Sequence, residues 1–475
     1  MVTSGSDDYR DGGLVFPPGF VVGSATASYQ IEGAVSEDGR GPSIWDTFSH
    51  TPGKTFNGDT GDVADDHYHR WESDLDLMKQ LGLHSYRFSI AWPRIQADGT
   101  GKPNPAGIAF YSRLVDGLLA RGIRPVATLY HWDLPQALED AGGWTNRDTS
   151  LRFAEYSALV AEALGDRIET WTTLNEPWCS AYLGYAGGVH APGRQDGAAA
   201  LSAVHHLNLA HGLAAQEVRR AATNDPDLSV TLNLHVLRGD EESSPEAIRW
   251  IDLLGNRAFL DPMLNGVYPQ ELFDNTAAIT DWAFVQPGDL ESIHQPLDVL
   301  GINYYSTTTL RMRQPGQAPR QELHNGTASP WPGADDVDFL EQPGPYTAMG
   351  WNIAPDGLEE LLVKTHEEWP DLPLMITENG AAFDDTVVDG AVHDTDRIDY
   401  LNRHFTAAHR AIQRGVDLRG YFVWSLMDNF EWSYGYAKRF GIVRNDYVTQ
   451  ERLIKDSGHW VSQVAGTLTT PEVDS

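Results

Sequence analysis

The chain has 475 residues, of which 41% are hydrophobic and 15 are Trp, so it can build a sizeable core and is not expected to be disordered. Its 34 basic and 67 acidic residues give a formal net charge of −33, which disfavours nucleic acid and anionic membranes as partners. Its single Cys excludes an internal disulfide, and it has no apolar run long enough to span a bilayer.

Strand-like and helix-like segments alternate along the whole chain. Apolar and β-branched runs predict eight strands, at 20–25, 85–90, 124–130, 169–175, 229–234, 298–304, 373–377 and 420–426. Amphipathic stretches between them predict helices at 71–81, 106–121, 149–164, 198–220, 357–368 and 394–414. Eight such units are what a closed (β/α)8 barrel needs.

We therefore predict an α/β protein with a single (β/α)8 TIM barrel over residues 16–465. A flexible N-terminal segment, 1–15, and a C-terminal tail, 466–475, are expected to flank it. The first segment is polar and acidic and lacks the pattern of a signal peptide, so we expect a cytoplasmic protein. Long segments follow the first and sixth strands, at 26–66 and 306–348. We expect these βα loops to form the walls of an active-site cleft.

Two of the predicted strands run into a glutamate. The stretch Leu-Met-Ile-Thr-Glu-Asn-Gly places Glu378 at the end of a buried run that a glycine then terminates. Upstream, Thr-Trp-Thr-Thr-Leu-Asn-Glu-Pro places Glu176 at the end of another strand, which Pro177 stops. Two carboxylates at strand ends suggest an acid/base pair in one barrel mouth.

These two stretches resemble the Thr-x-Asn-Glu-Pro and Ile-Thr-Glu-Asn-Gly motifs of glycoside hydrolase family 1, the β-glucosidases and β-galactosidases. The resemblance extends over roughly residues 16–461 and includes several motifs in the family's order. It implies a retaining β-glycosidase, in which two carboxyl groups lie about 5–5.5 Å apart. One protonates the leaving oxygen and the other attacks the anomeric carbon. By this resemblance Glu378 is the nucleophile and Glu176 the acid/base.

The resemblance also assigns the groups around the pair. Arg87 and Tyr305 match the positions that hydrogen-bond the nucleophile. Asn175 is expected at the sugar 2-hydroxyl and Glu431 at the 4- and 6-hydroxyls. The whole expected sugar-binding set is Gln30, His131, Trp132, Asn175, Asn303, Trp351, Trp424, Glu431 and Trp432. Within it Trp424 is the platform for the cleaved sugar and Trp351 the platform for the leaving group, which the 306–348 loop would border.

The pair Glu431-Trp432 also favours a sugar without phosphate, because an anionic glutamate would repel a 6-phosphate. Two positions depart from the family pattern. Asn352 stands where glutamate is common and could alter the leaving-group site, and Val22 stands where an aromatic residue is usual and is expected to affect packing only.

No cofactor and no metal are expected. The pairs His67/His69 and His205/His206 lack an acidic or cysteine partner at ligand spacing and are interpreted as surface or helix-face histidines. Cys179 is interpreted as a small packed side chain.

The leading hypothesis is a retaining β-glucosidase acting on small-molecule β-glucosides and short cello-oligosaccharides. Activity on β-galactosides and β-fucosides and transglycosylation would use the same residues. The oligomeric state, monomer or homo-oligomer, is open. A non-catalytic carbohydrate-binding protein on the same scaffold is disfavoured, because both carboxylates are present together with Arg87 and Tyr305.

Overall fold

Eight parallel strands form a closed barrel in the computed structural model, which describes residues 9–240, 242, 244–314, 316 and 328–472. The described strands are β1 (Val21–Ala25), β2 (Ser85–Ser89), β3 (Arg124–Thr128), β4 (Thr170–Asn175), β5 (Asp227–Asn233), β6 (Val236–Arg238), β7 (Val299–Asn303), β8 (Thr307–Met312), β9 (Val337–Leu340), β10 (Leu374–Asn379), β11 (Leu418–Trp424), β12 (Val443–Asn445) and β13 (Arg452–Ile454). The barrel order is β1-β11-β10-β7-β5-β4-β3-β2, closing between β2 and β1. The predicted (β/α)8 barrel is confirmed, and each predicted strand overlaps one barrel strand.

Helices lie between the barrel strands and after the last of them. They are α1 (Ser28–Ile31), α2 (Ile44–Ser49), α3 (His67–Gln80), α4 (Trp92–Ile95), α5 (Pro105–Ala120), α6 (Gln136–Asp140), α7 (Arg147–Leu164), α8 (Gly197–Ala221), α9 (Pro245–Asp252), α10 (Ala258–Leu260), α11 (Gln270–Thr276), α12 (Asp289–Ile293), α13 (Pro355–Glu368), α14 (Thr395–Gln413) and α15 (Asp456–Thr467). All residues of β1, β2 and β7 are buried, as expected of parallel strands covered on both faces. Among the described residues, no helix is both long and apolar enough to cross a membrane.

The strand pairing is irregular where the two glutamates lie. Between β10 and β7 the register shifts after Ile376, so that Glu378 pairs with Asn303. Between β4 and β5 it shifts after Thr172, so that Asn175 pairs with Thr231. Such irregularities bend a strand and redirect its side chains. Here they occur at the carboxyl ends of the strands that carry the two motifs.

The long βα loops carry secondary structure that the sequence did not predict. Strands β6, β8 and β9 form a three-stranded sheet in the loops that follow β5 and β7. The predicted 306–348 loop thus contains β8 and β9, although residues 315 and 317–327 of it lie outside the described residues. Both predicted walls line the cleft, the first through residues 52–56 and the second through Ala328 and Pro330.

Both ends of the described chain pair with each other. Val15 bridges Thr469, and the Gly13 N–H donates to the Thr470 carbonyl at 2.9 Å. Residues 1–8 and 473–475 of the predicted end segments lie outside the described residues. The division at 15/16 and 465/466 stays a prediction.

A buried charge network includes Asp428, which lies in the loop that leads from β11 to Glu431. Lys455 is fully buried and its Nζ donates to Asp428 Oδ1 at 2.7 Å and to Asp385. Arg439 donates to Asp428 Oδ2 at 2.7 Å. Burial alone would raise the pKa of Asp428, but the cations Lys455 and Arg439 outweigh burial and hold this pKa below its usual value.

Replacing Lys455 with methionine is expected to lower the free energy of unfolding by about 3–5 kcal/mol, because two buried carboxylates lose their shared cation. Urea denaturation followed by tryptophan fluorescence measures the loss. Arg220→Met is the matched control, since Arg220 also pairs with two carboxylates but is 58% exposed. We expect the control to leave stability nearly unchanged, because exposed ion pairs contribute little. Equal losses in the two variants would show that Lys455 is no more important than a surface cation.

Candidate active site

A cleft of about 780 Å³ opens at the carboxyl ends of the barrel strands. Nine of the thirteen predicted site residues line it: His131, Trp132, Glu176, Tyr305, Trp351, Glu378, Trp424, Glu431 and Trp432. The other four, Gln30, Arg87, Asn175 and Asn303, are buried behind these residues. The structure therefore brings together all thirteen side chains, although they come from seven different strands or the loops that follow them.

Glu378 is held by two strong donors. Arg87 Nη1 donates to its Oε1 at 2.8 Å, and the Tyr305 hydroxyl donates to its Oε2 at 2.8 Å. Burial raises the pKa of Glu378, and Arg87 and Tyr305 oppose that rise. Burial and the charge on Glu378 raise the pKa of Tyr305 well above its usual value, so its phenol remains a donor. These contacts orient Glu378 and favour its ionised form.

Glu176 has much weaker partners. It follows β4 directly and takes a left-handed backbone conformation with φ of 45°. Asn303 Nδ2 donates to its Oε1 at 2.7 Å, and the Cys179 thiol lies within hydrogen-bond distance of its Oε2, at 3.1 Å. Burial, and then the negative charge of Glu378, raise the pKa of Glu176 to about 8. Glu176 is therefore the protonated member of the pair at neutral pH.

A chain of hydrogen bonds continues from Arg87 across the barrel. Arg87 Nη2 donates to Asn175 Oδ1 at 2.7 Å, and Asn175 Nδ2 lies 3.0 Å from His131 Nε2. Burial, followed by the nearby Arg87 charge, lowers the pKa of His131 well below its usual value. The imidazole is therefore neutral, and it accepts at Nε2 and keeps its proton on Nδ1.

Three polar atoms of the predicted sugar-binding set are buried without a partner among the described residues. They are Gln30 Oε1, His131 Nδ1 and Glu431 Oε2. The Gln30 amide nitrogen is already fixed, since it donates to Asn429 Oδ1 at 3.1 Å and to the Phe430 carbonyl at 2.8 Å. Because buried polar atoms rarely lack partners, two acceptors and one donor around a cavity fit a polyhydroxylated ligand.

Glu431 differs in charge from the sequence-based expectation. Burial, and then the charges of Glu378 and Glu176, raise its pKa to about 8. In the free protein at pH 7 its carboxyl group is therefore protonated and can donate as well as accept. A neutral Glu431 does not repel a 6-phosphate by its charge, so the expected preference for a sugar without phosphate stays a prediction.

The predicted aromatic residues form two groups. The Trp424 ring stacks against His131 with centroids 5.8 Å apart, and Trp432 packs 4.6 Å from Trp132. The Trp132 indole N–H donates to the Asn175 carbonyl at 2.9 Å, so this N–H is already bonded to the protein and is not free to bond a ligand. Trp351 belongs to the second group, with its ring centroid 5.3 Å from that of Tyr305, the residue that bonds Glu378.

The two departures from the family pattern lie away from the cleft lining. Asn352 is buried and bonds Thr307, accepting from its backbone N–H at 3.2 Å and donating to its hydroxyl at 2.8 Å. It fixes the start of β8. Val22 is fully buried within β1, in agreement with a packing role.

The sequence interpretation was incomplete for several residues. Cys179 is buried as expected, but its thiol bonds Glu176. Of the four histidines interpreted as surface or helix-face residues, only His69 is exposed. His67 and His205 are buried and lie next to carboxylates, Asp74 at 2.8 Å and Asp289 at 2.9 Å. Within the described residues, no group of three or more His, Cys, Asp or Glu could hold a metal ion.

A barrel mouth that holds two carboxyl groups in unequal environments, surrounded by aromatic rings and open polar atoms, defines a glycoside-cleaving class of site. The family model "Glycosyl hydrolase family 1" matches residues 14–469. The chain belongs to glycosyl hydrolase family 1, which confirms the resemblance seen in the motifs.

Individual relatives are similar over nearly their whole length. A bifunctional β-D-glucosidase/β-D-fucosidase from Bifidobacterium breve is 58% identical, covering 94% of this chain and 97% of that protein. The structure of a psychrophilic β-glucosidase from Micrococcus antarcticus superposes with a TM-score of 0.91 at 47% identity, covering 98% of this chain and 99% of the other. A β-glucosidase from Thermotoga maritima in complex with deoxynojirimycin gives 0.88 at 46% identity, covering 96% and 99%.

Proposed function

We propose that this protein is a retaining β-glucosidase that removes terminal β-D-glucosyl residues from β-glucosides and short cello-oligosaccharides. The observation that carries the proposal is the unequal environment of the two glutamates. Glu378 receives a guanidinium and a phenol, whereas Glu176 receives only an amide and a thiol and has its pKa raised to about 8. A nucleophile and a general acid are the two roles that these environments suit.

In the first step Glu378 attacks the anomeric carbon. The glycosidic C–O bond breaks as the new ester C–O bond forms, and the proton of Glu176 moves to the leaving oxygen. Arg87 and Tyr305 hold the attacking carboxylate in place. The transition state resembles an oxocarbenium ion, which the ionised Glu378 stabilises electrostatically.

In the second step water replaces the leaving group. Esterification has removed the charge of Glu378, which is the second largest cause of the raised pKa of Glu176. The pKa of Glu176 therefore falls, and its carboxylate can take a proton from water. Water attacks the anomeric carbon, the ester bond breaks, and both glutamates return to their starting states. Transglycosylation follows the same route with a sugar or alcohol hydroxyl in place of water.

The buried polar atoms suit the hydroxyls of the cleaved sugar. Glu431 Oε2 and Gln30 Oε1 would bond the 4- and 6-hydroxyl side, and His131 Nδ1 would donate to the ring's other edge. Asn175 would contact the 2-hydroxyl. The Asn303 amide nitrogen donates to Asn175 Oδ1 at 3.2 Å and to Glu176 Oε1 at 2.7 Å, so it links these two residues. The Trp424 face would be the platform for this sugar, with the His131 ring stacked against Trp424.

Trp351 would stack on the leaving group, since it lies on the Tyr305 side of the carboxyl pair. The similarity to a relative named a β-D-glucosidase/β-D-fucosidase supports activity on β-fucosides as a second substrate class. D-Fucose is 6-deoxygalactose, so relative to glucose it lacks the 6-hydroxyl and carries the 4-hydroxyl in the axial orientation. The cytoplasmic location stays a prediction, and the oligomeric state, monomer or homo-oligomer, stays open.

Proton NMR of the purified protein with an aryl β-glucoside tests the proposal. We expect β-glucose as the first-released anomer, because two successive inversions at the anomeric carbon give net retention. α-Glucose as the first product would exclude the nucleophile role of Glu378. Binding of cellobiose in calorimetry without release of any sugar would support the non-catalytic alternative.

A further inference from the structure

Cys179 is positioned by the same chain segment as Glu176. It lies three residues after Glu176 and is the first residue of a π-helix, Cys179–Gly187. Its backbone N–H donates to the Glu176 carbonyl at 2.9 Å, and its side chain lines the cleft while only 7% of the residue is exposed. Short π-helices are frequent at functional sites. Here the start of the helix places the thiol of Cys179 beside the carboxyl group of Glu176.

The contacts of the thiol are specific. Cys179 Sγ lies 3.1 Å from Glu176 Oε2, within the range of a thiol hydrogen bond, and Asn233 Nδ2 donates to Sγ at 3.7 Å. The other oxygen of Glu176 receives the Asn303 amide at 2.7 Å. Because an amide N–H can only donate, the acidic proton of Glu176 belongs on Oε2, the oxygen beside the thiol.

The charged and titratable groups facing the pair come from several elements. Glu378 lies at the end of β10, Arg87 on β2, Tyr305 after β7 and Glu431 after β11. Burial, followed by the charges of Glu176 and Glu378, raises the pKa of Cys179 well above its usual value. The side chain therefore remains a thiol, which can both donate and accept a hydrogen bond.

We propose that Cys179 is a positioning residue that reverses its hydrogen bond with the charge of Glu176. It accepts from the protonated carboxyl group at Sγ before the first step, and it donates its S–H to the carboxylate after the proton has left. The donated bond stabilises the base form of Glu176, which the second step requires. The inference rests on the proposed role of Glu176 as acid/base.

Removal of the thiol is expected to change the pH profile. In Cys179→Ala the carboxylate of Glu176 loses a donor, so its pKa rises. The basic limb of the pH profile of kcat/KM therefore moves to higher pH, by roughly 0.5–1 pH unit for the loss of a weak donor to a charged group. Cys179→Ser, which keeps a donor and acceptor, is the matched control and is expected to move the limb by less than half as much.

Infrared spectroscopy tests the same point without turnover, because the chain has a single cysteine and hence a single S–H stretching band. We expect the band to shift to lower frequency as Glu176 ionises, with a midpoint near pH 8. The band should not respond to pH in Glu176→Gln. Melting temperatures of all variants report whether each one folds.

Two outcomes would overturn the inference. The first is a folded Cys179→Ala protein whose basic limb of kcat/KM stays at the wild-type pH. The second is an S–H band whose frequency does not change when Glu176 ionises. Azide rescue of Glu176→Ala separates this failure from failure of the proposed function. If azide rescues that variant while Cys179→Ala leaves the basic limb in place, Glu176 is the acid/base and Cys179 is only packed against it.

Discussion

Replacing Glu378 with alanine is expected to lower kcat/KM for an aryl β-glucoside by about 10⁴-fold or more, because the group that forms the covalent intermediate is lost. Sodium azide should restore turnover, since the missing carboxylate leaves space between Arg87 and Tyr305 for a small anion. Azide in that space attacks the face opposite the leaving group and gives α-glucosyl azide. NMR of the product identifies this anomer.

Glu378→Gln is the isosteric comparison. Its amide oxygen can still accept from Arg87 or Tyr305, but it leaves no space for azide, so we expect the same loss without rescue. Glu155→Ala is the matched control, because Glu155 is an exposed glutamate on α7 that pairs with Arg152. It should keep full activity. β-Glucosyl azide from Glu378→Ala, or retention of more than about a tenth of the activity, would contradict the assignment.

The barrel and the identity of its two glutamates were predictable from the sequence for a local reason. Each barrel strand is buried on both faces and therefore reads as an apolar run, and each motif strand ends at a proline or glycine. A residue at the carboxyl end of a parallel barrel strand lies at the barrel mouth. This geometry brings Glu176 and Glu378 to one cleft although they are far apart in the chain.

The charge states within the cleft could not be predicted in the same way. The sequence predicts an anionic Glu431, but the pKa of this residue depends on burial and on two other carboxyl groups that only the folded chain places nearby. Cys179 is a similar case, because its position two residues after Pro177 gives no indication that a π-helix turns its thiol toward Glu176. Both depend on tertiary contacts and on a local helix geometry for which the sequence carries no evident signal.

The small sheet of β6, β8 and β9 was missed because its strands are short and partly exposed. Alternation of burial along β8 is incomplete, and the segment lies in a region rich in Pro, Gly and polar residues that is typical of a loop. Trp132 shows a further limit. Its position beside His131 indicated sugar contact, whereas its N–H is committed to the Asn175 backbone.

Replacing Glu176 with alanine is expected to give a loss that depends on the leaving group. Cellobiose should lose about 10²–10⁴-fold in kcat/KM, because its departing sugar hydroxyl needs a proton. A phenyl glucoside with strongly electron-withdrawing substituents should lose far less in the first step, since its phenolate leaves without one. The basic limb that Glu176, with a pKa of about 8, imposes on the profile should also disappear. Initial rates from about pH 5 to about pH 10 on both substrates, a range that brackets this pKa, measure the two effects.

Azide distinguishes the role of Glu176 from a general loss of structure. In Glu176→Ala the anion can enter on the side of the leaving group, attack the intermediate on Glu378 and give β-glucosyl azide, the opposite anomer to that expected from Glu378→Ala. The two variants therefore act as controls for each other, because each identifies the face of the sugar from which its glutamate acts. An equal loss on both substrates, with the basic limb intact, would mean that Glu176 holds the site in shape and that another group supplies the proton. Glu431, the other buried carboxyl group with a pKa of about 8, would then be the first residue to test, since it lines the same cleft.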